Sequence, residues 1–249
     1  MKLSAIIITK NSGFTIEKCL KSLSFVDEII VLDSGSTDDT VTLCRQHTDQ
    51  VYQTDWPGFG PQKNRALNKA TGDWIFSIDS DEWVSDSLRI SILETLKNTT
   101  GSVFKLQRRN QYCGQWIRFG DPGKDFIVRL FKKGCARFSD DCVHERVITD
   151  EKIYTLKGLL MHNSYRSYEE LLNRMNRYTT LSAQQRFSQG KRSSFSRALF
   201  SGLWAFLRSY IFRLGFLDGK IGYIVAVSSG QSSFYRHLKL THLRHRHLL

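Results

Sequence analysis

The stretch Trp74-Ile-Phe-Ser-Ile-Asp79-Ser-Asp81-Glu82-Trp83 decides how the rest of this chain is read. A short apolar run of this kind is a strand covered on both faces, and it leads straight into three acids. In an extended backbone Asp79 and Asp81 point to the same side, because strand side chains alternate with period two. Two carboxylates side by side repel unless a cation sits between them. A hard divalent ion, Mg²⁺ or Mn²⁺, prefers such oxygen ligands and shares them with substrate phosphates. The plainer alternative is an acidic turn that helps to cap the next helix.

Upstream the signals alternate. Leu3–Thr9 is a β-branched run suited to a buried parallel strand, broken by Asn11-Ser12-Gly13. Ile16, Cys19, Leu20 and Leu23 then recur at helical spacing. Glu28–Asp33 predicts a second strand, followed by a helix near Asp39–Gln46, and Val51–Thr54 a short third strand. Gln62–Ala70 reads as a helix, with Pro61 suited to its first turn and Gly72 to its end. After the acids, Ser85 is placed to cap a helix carrying Leu88, Ile92 and Leu96. This β-α-β-α order predicts an α/β fold with a mostly parallel sheet flanked by helices. Ligands of such sheets sit beyond the carboxyl ends of the strands, which directs attention to Asn11, Asp33 and Asp79.

Asp33 opens the segment Val31-Leu-Asp33-Ser34-Gly35-Ser36-Thr37-Asp38-Asp39-Thr40. An acid at a strand end before a glycine turn can accept hydrogen bonds from a ribose or a base edge. Ser36, Thr37 and Asp38 are equally suited to capping the following helix. Neither GxGxxG nor GxxxxGK[ST] occurs, so a bound nucleotide would have its phosphates neutralised by a metal and not cradled by glycines.

Taken together, Ser4-Ala-Ile-Ile-Ile-Thr-Lys-Asn11, Glu17, Val31–Asp38, Lys63-Asn-Arg65, Gly72-Asp73 and Asp79-Ser-Asp81 resemble, in order and spacing, the family 2 inverting glycosyltransferases. The likeness covers about the first 100 residues. Further on, Asp125-Phe-Ile-Val-Arg129-Leu-Phe, Val143-His-Glu145 and Met161-His162 resemble the branch that adds the first glucose to the lipopolysaccharide inner core. The resemblance implies a GT-A nucleotide-diphospho-sugar transferase fold, a UDP-sugar donor and a divalent metal. It implies that Thr9, Lys10, Asn11, Glu17 and Asp33 meet uracil and ribose, and that Lys63 and Arg65 lie near the donor. Asp79 would face ribose or sugar and Asp81 would hold the metal, with Asp79 and His162 as further candidate ligands. A packed, hydrogen-bonded histidine is the other reading of His162. Direct inversion needs a base for the acceptor hydroxyl; Glu145 is the first candidate and Asp125 the second. The chain lacks the ED and QxxRW signatures of processive polysaccharide synthases, which counts against polymerisation.

Charge is unevenly spread. Residues 1–125 carry 15 Lys and Arg against 16 Asp and Glu, whereas 126–249 carry 21 against 8, so the whole excess of +12 lies in the second half. Such a block seeks an anionic surface. From 166 onward the chain reads as helical, basic and aromatic. Between Phe195 and Tyr223, Trp204, Phe206, Tyr210, Phe212 and Phe216 are interspersed with Arg197, Arg208, Arg213 and Lys220. Arg208 and Arg213 forbid a simple membrane span, and the mixture suits a helix resting among anionic headgroups. The plainer reading is a helix packed on the catalytic domain with a solvated basic face. His237, His242, His245 and His247 read as part of a solvated basic tail.

The expected organisation is therefore a GT-A catalytic domain over 1–165, split into a nucleotide-sugar half (1–100) and an acceptor half (101–165). A helical membrane-associating extension follows over 166–249. Five cysteines without CxxC spacing, and the absence of a signal-peptide pattern, fit a reducing, cytoplasmic setting. The expected partners are a UDP-sugar, a glycolipid acceptor and the inner face of a bacterial inner membrane. RNA is a poor fit, because acids line the strand ends and no RNP or KH signature is present. A sugar-nucleotide-binding protein without transfer keeps the fold but leaves the full acid set unexplained.

Overall fold

The computed structural model describes residues 1–98, 100–140 and 145–246. Two compact units are present, one of 1–108 with 126–162, the other of 109–125 with 163–249. Residues 109–125, expected in the acceptor half, thus group with the C-terminal helices.

The first unit starts as the sequence predicts. Strand β1 (Leu3–Thr9) is buried along its whole length. It is followed by α1 (Ile16–Ser22), β2 (Glu28–Asp33), α2 (Thr40–Arg45), β3 (Val51–Gln53), α3 (Phe59–Lys69) and β4 (Trp74–Asp79). Strands β3, β2, β1 and β4 lie side by side and parallel. Alternate β1 residues feed two cores: Leu3, Ala5 and Ile7 pack with α1 and Phe76, while Ile6 and Ile8 pack with Ala66, Leu67 and Ile75. Each fully buried aliphatic side chain is worth about 1.5–3 kcal/mol, which favours an all-apolar strand only when helices cover both faces.

Beyond β4 come β5 (Glu82–Val84), α4 (Asp86–Asn98), β6 (Val103–Tyr112), β7 (Gln115–Trp116), β8 (Asp125–Lys132), β9 (Arg137–Phe138), β10 (Val147–Ile148) and β11 (Ile153–Tyr165). The Ser85 hydroxyl accepts from Leu88 N–H at the start of α4, as expected. The sheet continues from β4 through β8, β6 and β11 to β5. The β4/β8 and β11/β5 pairs are antiparallel, unlike the pairs among the first four strands.

One buried knot ties the strand starts together. The Glu28 carboxylate accepts from Ser4 and Gln50 side chains and from both the N–H and the hydroxyl of Thr71. Burial alone would raise its pKa, but these hydrogen bonds outweigh it and hold the group at about 2. A Cβ on Gly72 would come within 2.5 Å of Ser4 Oγ and 2.8 Å of the Lys2 carbonyl. Only glycine allows the chain to enter β4 this closely.

In the second unit α5 (Tyr168–Ser188), α6 (Phe195–Leu207) and α7 (Gly219–Arg246) account for most of the chain. Ser167 and Ser194 cap α5 and α6 by accepting from Glu170 and Arg197 N–H. A π turn over Arg208–Phe212 and a 3-10 turn over Gly215–Asp218 link α6 to α7. No described helix is long and apolar enough to cross a membrane.

Candidate active site

Pairing brings three strand ends level. Thr9 of β1 is in register with Asp33 of β2, and Ile8 with Asp79 of β4. The Thr9 hydroxyl is buried there with no hydrogen-bond partner among the described residues. Such an orphan normally marks a place where a ligand or water supplies the partner.

The loops after β1 and β2 brace one another. Asn11, at φ 50°, accepts from Thr37 N–H at 2.8 Å, and its own N–H donates to Ser36 Oγ at 2.8 Å. Asp38 accepts from Gly13 N–H at 3.0 Å and Thr40 N–H at 3.1 Å. Asp33, wholly buried, accepts from Gly35 and Ser36 N–H at 3.0 and 2.9 Å and from the Ser36 hydroxyl. It therefore shapes the turn, a role that sequence reading assigned only to its neighbours.

The charged centre lies at the end of β4. Lys63 Nζ, nearly fully buried on α3, is 2.9 Å from Asp79 Oδ1 and 2.6 Å from Glu145 Oε1. Arg129, on β8, donates to Asp79 and, at 2.9 Å, to Glu82. Arg108 reaches the same Glu82 oxygen at 3.1 Å, and Glu82 Oε2 accepts from Asp79 N–H at 2.9 Å. Three cations thus face three carboxylates. Burial pushes the Asp79 pKa up, but Arg129 and Lys63 outweigh it and hold the group well below the usual carboxylate range. Burial works against the Arg129 charge too, yet Asp79 and Glu82 raise its pKa above the ordinary value.

The expected geometry of the acidic pair is corrected here. Strand β4 stops at Asp79, and Ser80 and Asp81 form a turn before β5, so strand alternation does not align the two carboxylates. The cause is Glu82, whose carboxylate folds back onto Asp79 N–H and ends the strand. Asp79 is instead neutralised by arginine and lysine. Asp81 Oδ2 stands 3.4 Å from His162 Nε2, because β11 pairs His162 with Glu82. Among the described residues no group of three or more His, Cys, Asp or Glu side chains is arranged to hold a metal. A carboxylate and an imidazole on one spot still suit a divalent ion whose remaining ligands are phosphate and water oxygens.

Other candidates stand elsewhere. Lys63 and Arg65 are two positions apart on α3 and so leave the helix in different directions. Arg65 is half-buried, paired with Asp55 at 2.6 Å, and lines an open cavity of about 540 Å³ with Thr54, Asn68 and Lys69. No other predicted donor residue borders that cavity, although Leu32 and Gln53 at the ends of β2 and β3 do. Lys10 is exposed, as is Glu17 on α1, which pairs with Lys21 at 2.6 Å. Asp125 belongs to the second unit, where Asn110 donates to it at 3.3 Å. Val143 and His144, and also His247, lie outside the described residues.

Sequence reading gave no role to Arg129, Arg108, Glu82 or Gln62. Gln62 is fully buried and donates to Ser34 and Thr54. Arg129 had a legible signal: an arginine inside the apolar run Phe126–Phe131 must find a buried acid.

The profile of glycosyl transferase family 2 matches residues 4–196. This chain belongs to that family. Over 253 residues it is 31% identical to the lipopolysaccharide core biosynthesis glycosyltransferase LpsC of Rhizobium meliloti, covering 95% of this chain and 93% of LpsC. It is 30% identical to an uncharacterized glycosyltransferase of Rickettsia prowazekii, over 97% of this chain and 87% of that one. Among solved structures, glucosyl-3-phosphoglycerate synthase of Mycobacterium tuberculosis, crystallised with Mn²⁺, UDP-glucose and phosphoglyceric acid, aligns at 30% identity and a TM-score of 0.39. That match covers 43% of this chain and 44% of the synthase, so the chain spans under half of it. The protein is a family 2 glycosyltransferase, with the α/β sheet of the GT-A fold and, as expected, a C-terminal helical extension.

Proposed function

We propose that this family 2 enzyme transfers a hexose, with inversion, from a UDP-sugar to a membrane-borne glycolipid. The donor is UDP-glucose and the acceptor the lipopolysaccharide inner core. The observation that carries this reading is the Lys63 bridge, which holds Asp79 at a strand end and Glu145 from a distant segment on one ammonium.

The nucleotide lies over the ends of β1, β2 and β4. The orphaned Thr9 hydroxyl, Lys10 and the Asn11 loop meet the nucleoside, Asp33 keeps that loop in shape, and Asp79 faces the ribose or the sugar. Glu17 is exposed and Arg65 half-buried beside its own cavity, so neither carries this reading. Asp81 and His162 would hold a Mg²⁺ or Mn²⁺ ion, which when bound would supply positive charge to the diphosphate of the leaving UDP. Glu145 takes the proton from the acceptor hydroxyl as its oxygen bonds to the anomeric carbon and the bond to the UDP oxygen breaks on the opposite face. Its ion pair with Lys63 fixes the carboxylate's direction, and general-base assistance of this kind is worth about 10²–10⁴ in rate. Asp125 is the alternative base.

The acceptor assignment rests on LpsC, whose name places it in lipopolysaccharide core biosynthesis. The basic second half supports work at the inner face of a bacterial inner membrane, on the cytoplasmic side. The direct test incubates the enzyme with UDP-glucose, UDP-galactose, GDP-mannose or a CMP-sugar, with Mn²⁺ or EDTA, and a core-truncated lipopolysaccharide. UDP-glucose should give a metal-dependent glycolipid product. A product from another nucleotide sugar alone, or none from any, overturns the assignment.

A further inference from the structure

Helix α6 is inside out. Its packed side carries Ala198, Ser201, Gly202 and Ala205, whereas its outward side carries Leu199, Phe200, Leu203 and Trp204. Phe200 is 73% exposed, Leu203 57% and Trp204 56%. A helix on a water-facing surface shows the reverse pattern, apolar inward and charged outward.

The inward side explains how small residues suffice there. A Cβ on Gly202 would lie 3.0 Å from Phe234 Cβ and 3.2 Å from the Gly230 carbonyl, so α6 and α7 meet backbone to backbone. Ser201 and Ser233 share a hydrogen bond of 2.6 Å across that seam. Close approach through small residues, with hydroxyls bonded between helices, is how helices associate where no water drives them together.

We infer that the outward face of α6, continued by Ile211, Phe212, Phe216 and Leu217, lies in the interfacial layer of an anionic phospholipid bilayer with the helix in the membrane plane. The inference deepens the membrane-borne acceptor reading by naming the surface that meets the lipid. Residues 198–207 contain no charge and span about 15 Å at 1.5 Å per residue, half of a hydrocarbon core of about 30 Å, so they sit in one leaflet. Arg197 and Arg208 bracket the stretch, and Arg213 and Lys220 follow it. Basic groups at both ends fit headgroup phosphates on either side of a horizontal helix. From 191 to 249 the only acid is Asp218, whose carboxylate is engaged by Arg118 and Phe119 N–H. Asp121 already pairs with Arg208 at 2.8 Å and with Arg213 at 3.1 Å, so the charge left for headgroups is chiefly that of Arg197 and Lys220, and a second copy of the same face would oppose like charges.

The test uses full-length protein and vesicles of phosphatidylethanolamine with phosphatidylglycerol, without nucleotide or acceptor, so it reads the surface and not the transferase chemistry. Wild-type protein should float with these vesicles and not with pure phosphatidylcholine. Acyl chains brominated near the headgroup should quench a fluorescence component that is absent in Trp204→Phe. Phe200→Glu with Leu203→Glu alters only exposed positions, so circular dichroism should be unchanged while vesicle partition falls about tenfold or more. Three outcomes overturn the inference: vesicle binding without Trp204 quenching, equal flotation of the double variant, or a dimer in solution that the double variant dissociates. A protein that passes this test but transfers no sugar loses the acceptor reading and keeps the surface.

Discussion

Lys63 and Glu145 lie 82 residues apart in the chain, yet their ammonium and carboxylate meet at 2.6 Å. The same ammonium also holds Asp79, so a single buried charge joins the strand that ends in the acids to the segment carrying the candidate base. Its removal has two separable consequences, for stability and for turnover.

Lys63→Met should leave Asp79 and Glu145 without a shared cation. Breaking a buried ion pair from one side costs about 3–5 kcal/mol, which for a chain of this size lowers Tm by roughly 10 °C. Arg129 still neutralises Asp79, so the fold should persist. Differential scanning calorimetry measures the loss; an unchanged Tm would contradict the bridge.

Glu145→Gln should keep donor affinity and lose turnover by about 10²–10⁴, since the amide oxygen still accepts from Lys63 but cannot take a proton. Asp125→Asn should change kcat little. Steady-state kinetics on both variants decide the matter: if Asp125→Asn abolishes turnover and Glu145→Gln does not, the base is Asp125.

Asp81→Asn and His162→Ala should each weaken the metal dependence of donor binding. In wild type, donor at 100 times its Kd stabilises the fold by about 2.7 kcal/mol. That shift should depend on Mn²⁺, disappear with EDTA and be much smaller in either variant. A thermal-shift titration in which His162→Ala matches wild type would restrict the ligand role to Asp81.

Glu28 predicts an acid limb in the stability curve. Its pKa falls from an ordinary 4.5 to about 2 on folding. The stabilisation is therefore complete above about pH 4.5 and is lost as the pH drops toward 2. Glu28→Gln should lose about 1.5–3 kcal/mol at neutral pH and show a flatter profile between pH 4.5 and 2. Urea unfolding across that range is the measurement; parallel curves for the two proteins would assign the acid limb to other groups.

The first four strands and their helices were legible because their signals are local: β-branched runs, helical spacing and breaks at Asn11-Ser12-Gly13 and Gly72. The strand-end acids were legible for the same reason. The partners of those acids were not, because Arg129, Arg108 and Glu145 arrive from segments that local spacing cannot order. The Asp79/Asp81 geometry failed for a nearer reason: strand alternation ends where Glu82 folds back on Asp79 N–H, and sequence alone does not report a side chain turning onto its own backbone. The basic excess after 166 pointed to an anionic surface, but only packed helices revealed that α6 turns its large residues outward.

The Lys63 bridge also sets an order on synthesis. Strands β1 to β4 can pair once residue 79 has left the ribosome, with Lys63 already on α3, but the carboxylate at 145 follows later and the imidazole at 162 later still. Until then Lys63 has Asp79 alone, and Asp81 lacks His162 beside it. The nascent chain therefore has a sheet before it has a finished site, and it must keep that end hydrated while the later segments emerge. A chain arrested before residue 145 would hold a paired sheet beside an unfinished site, open to chaperone binding or proteolysis before it can engage a sugar nucleotide.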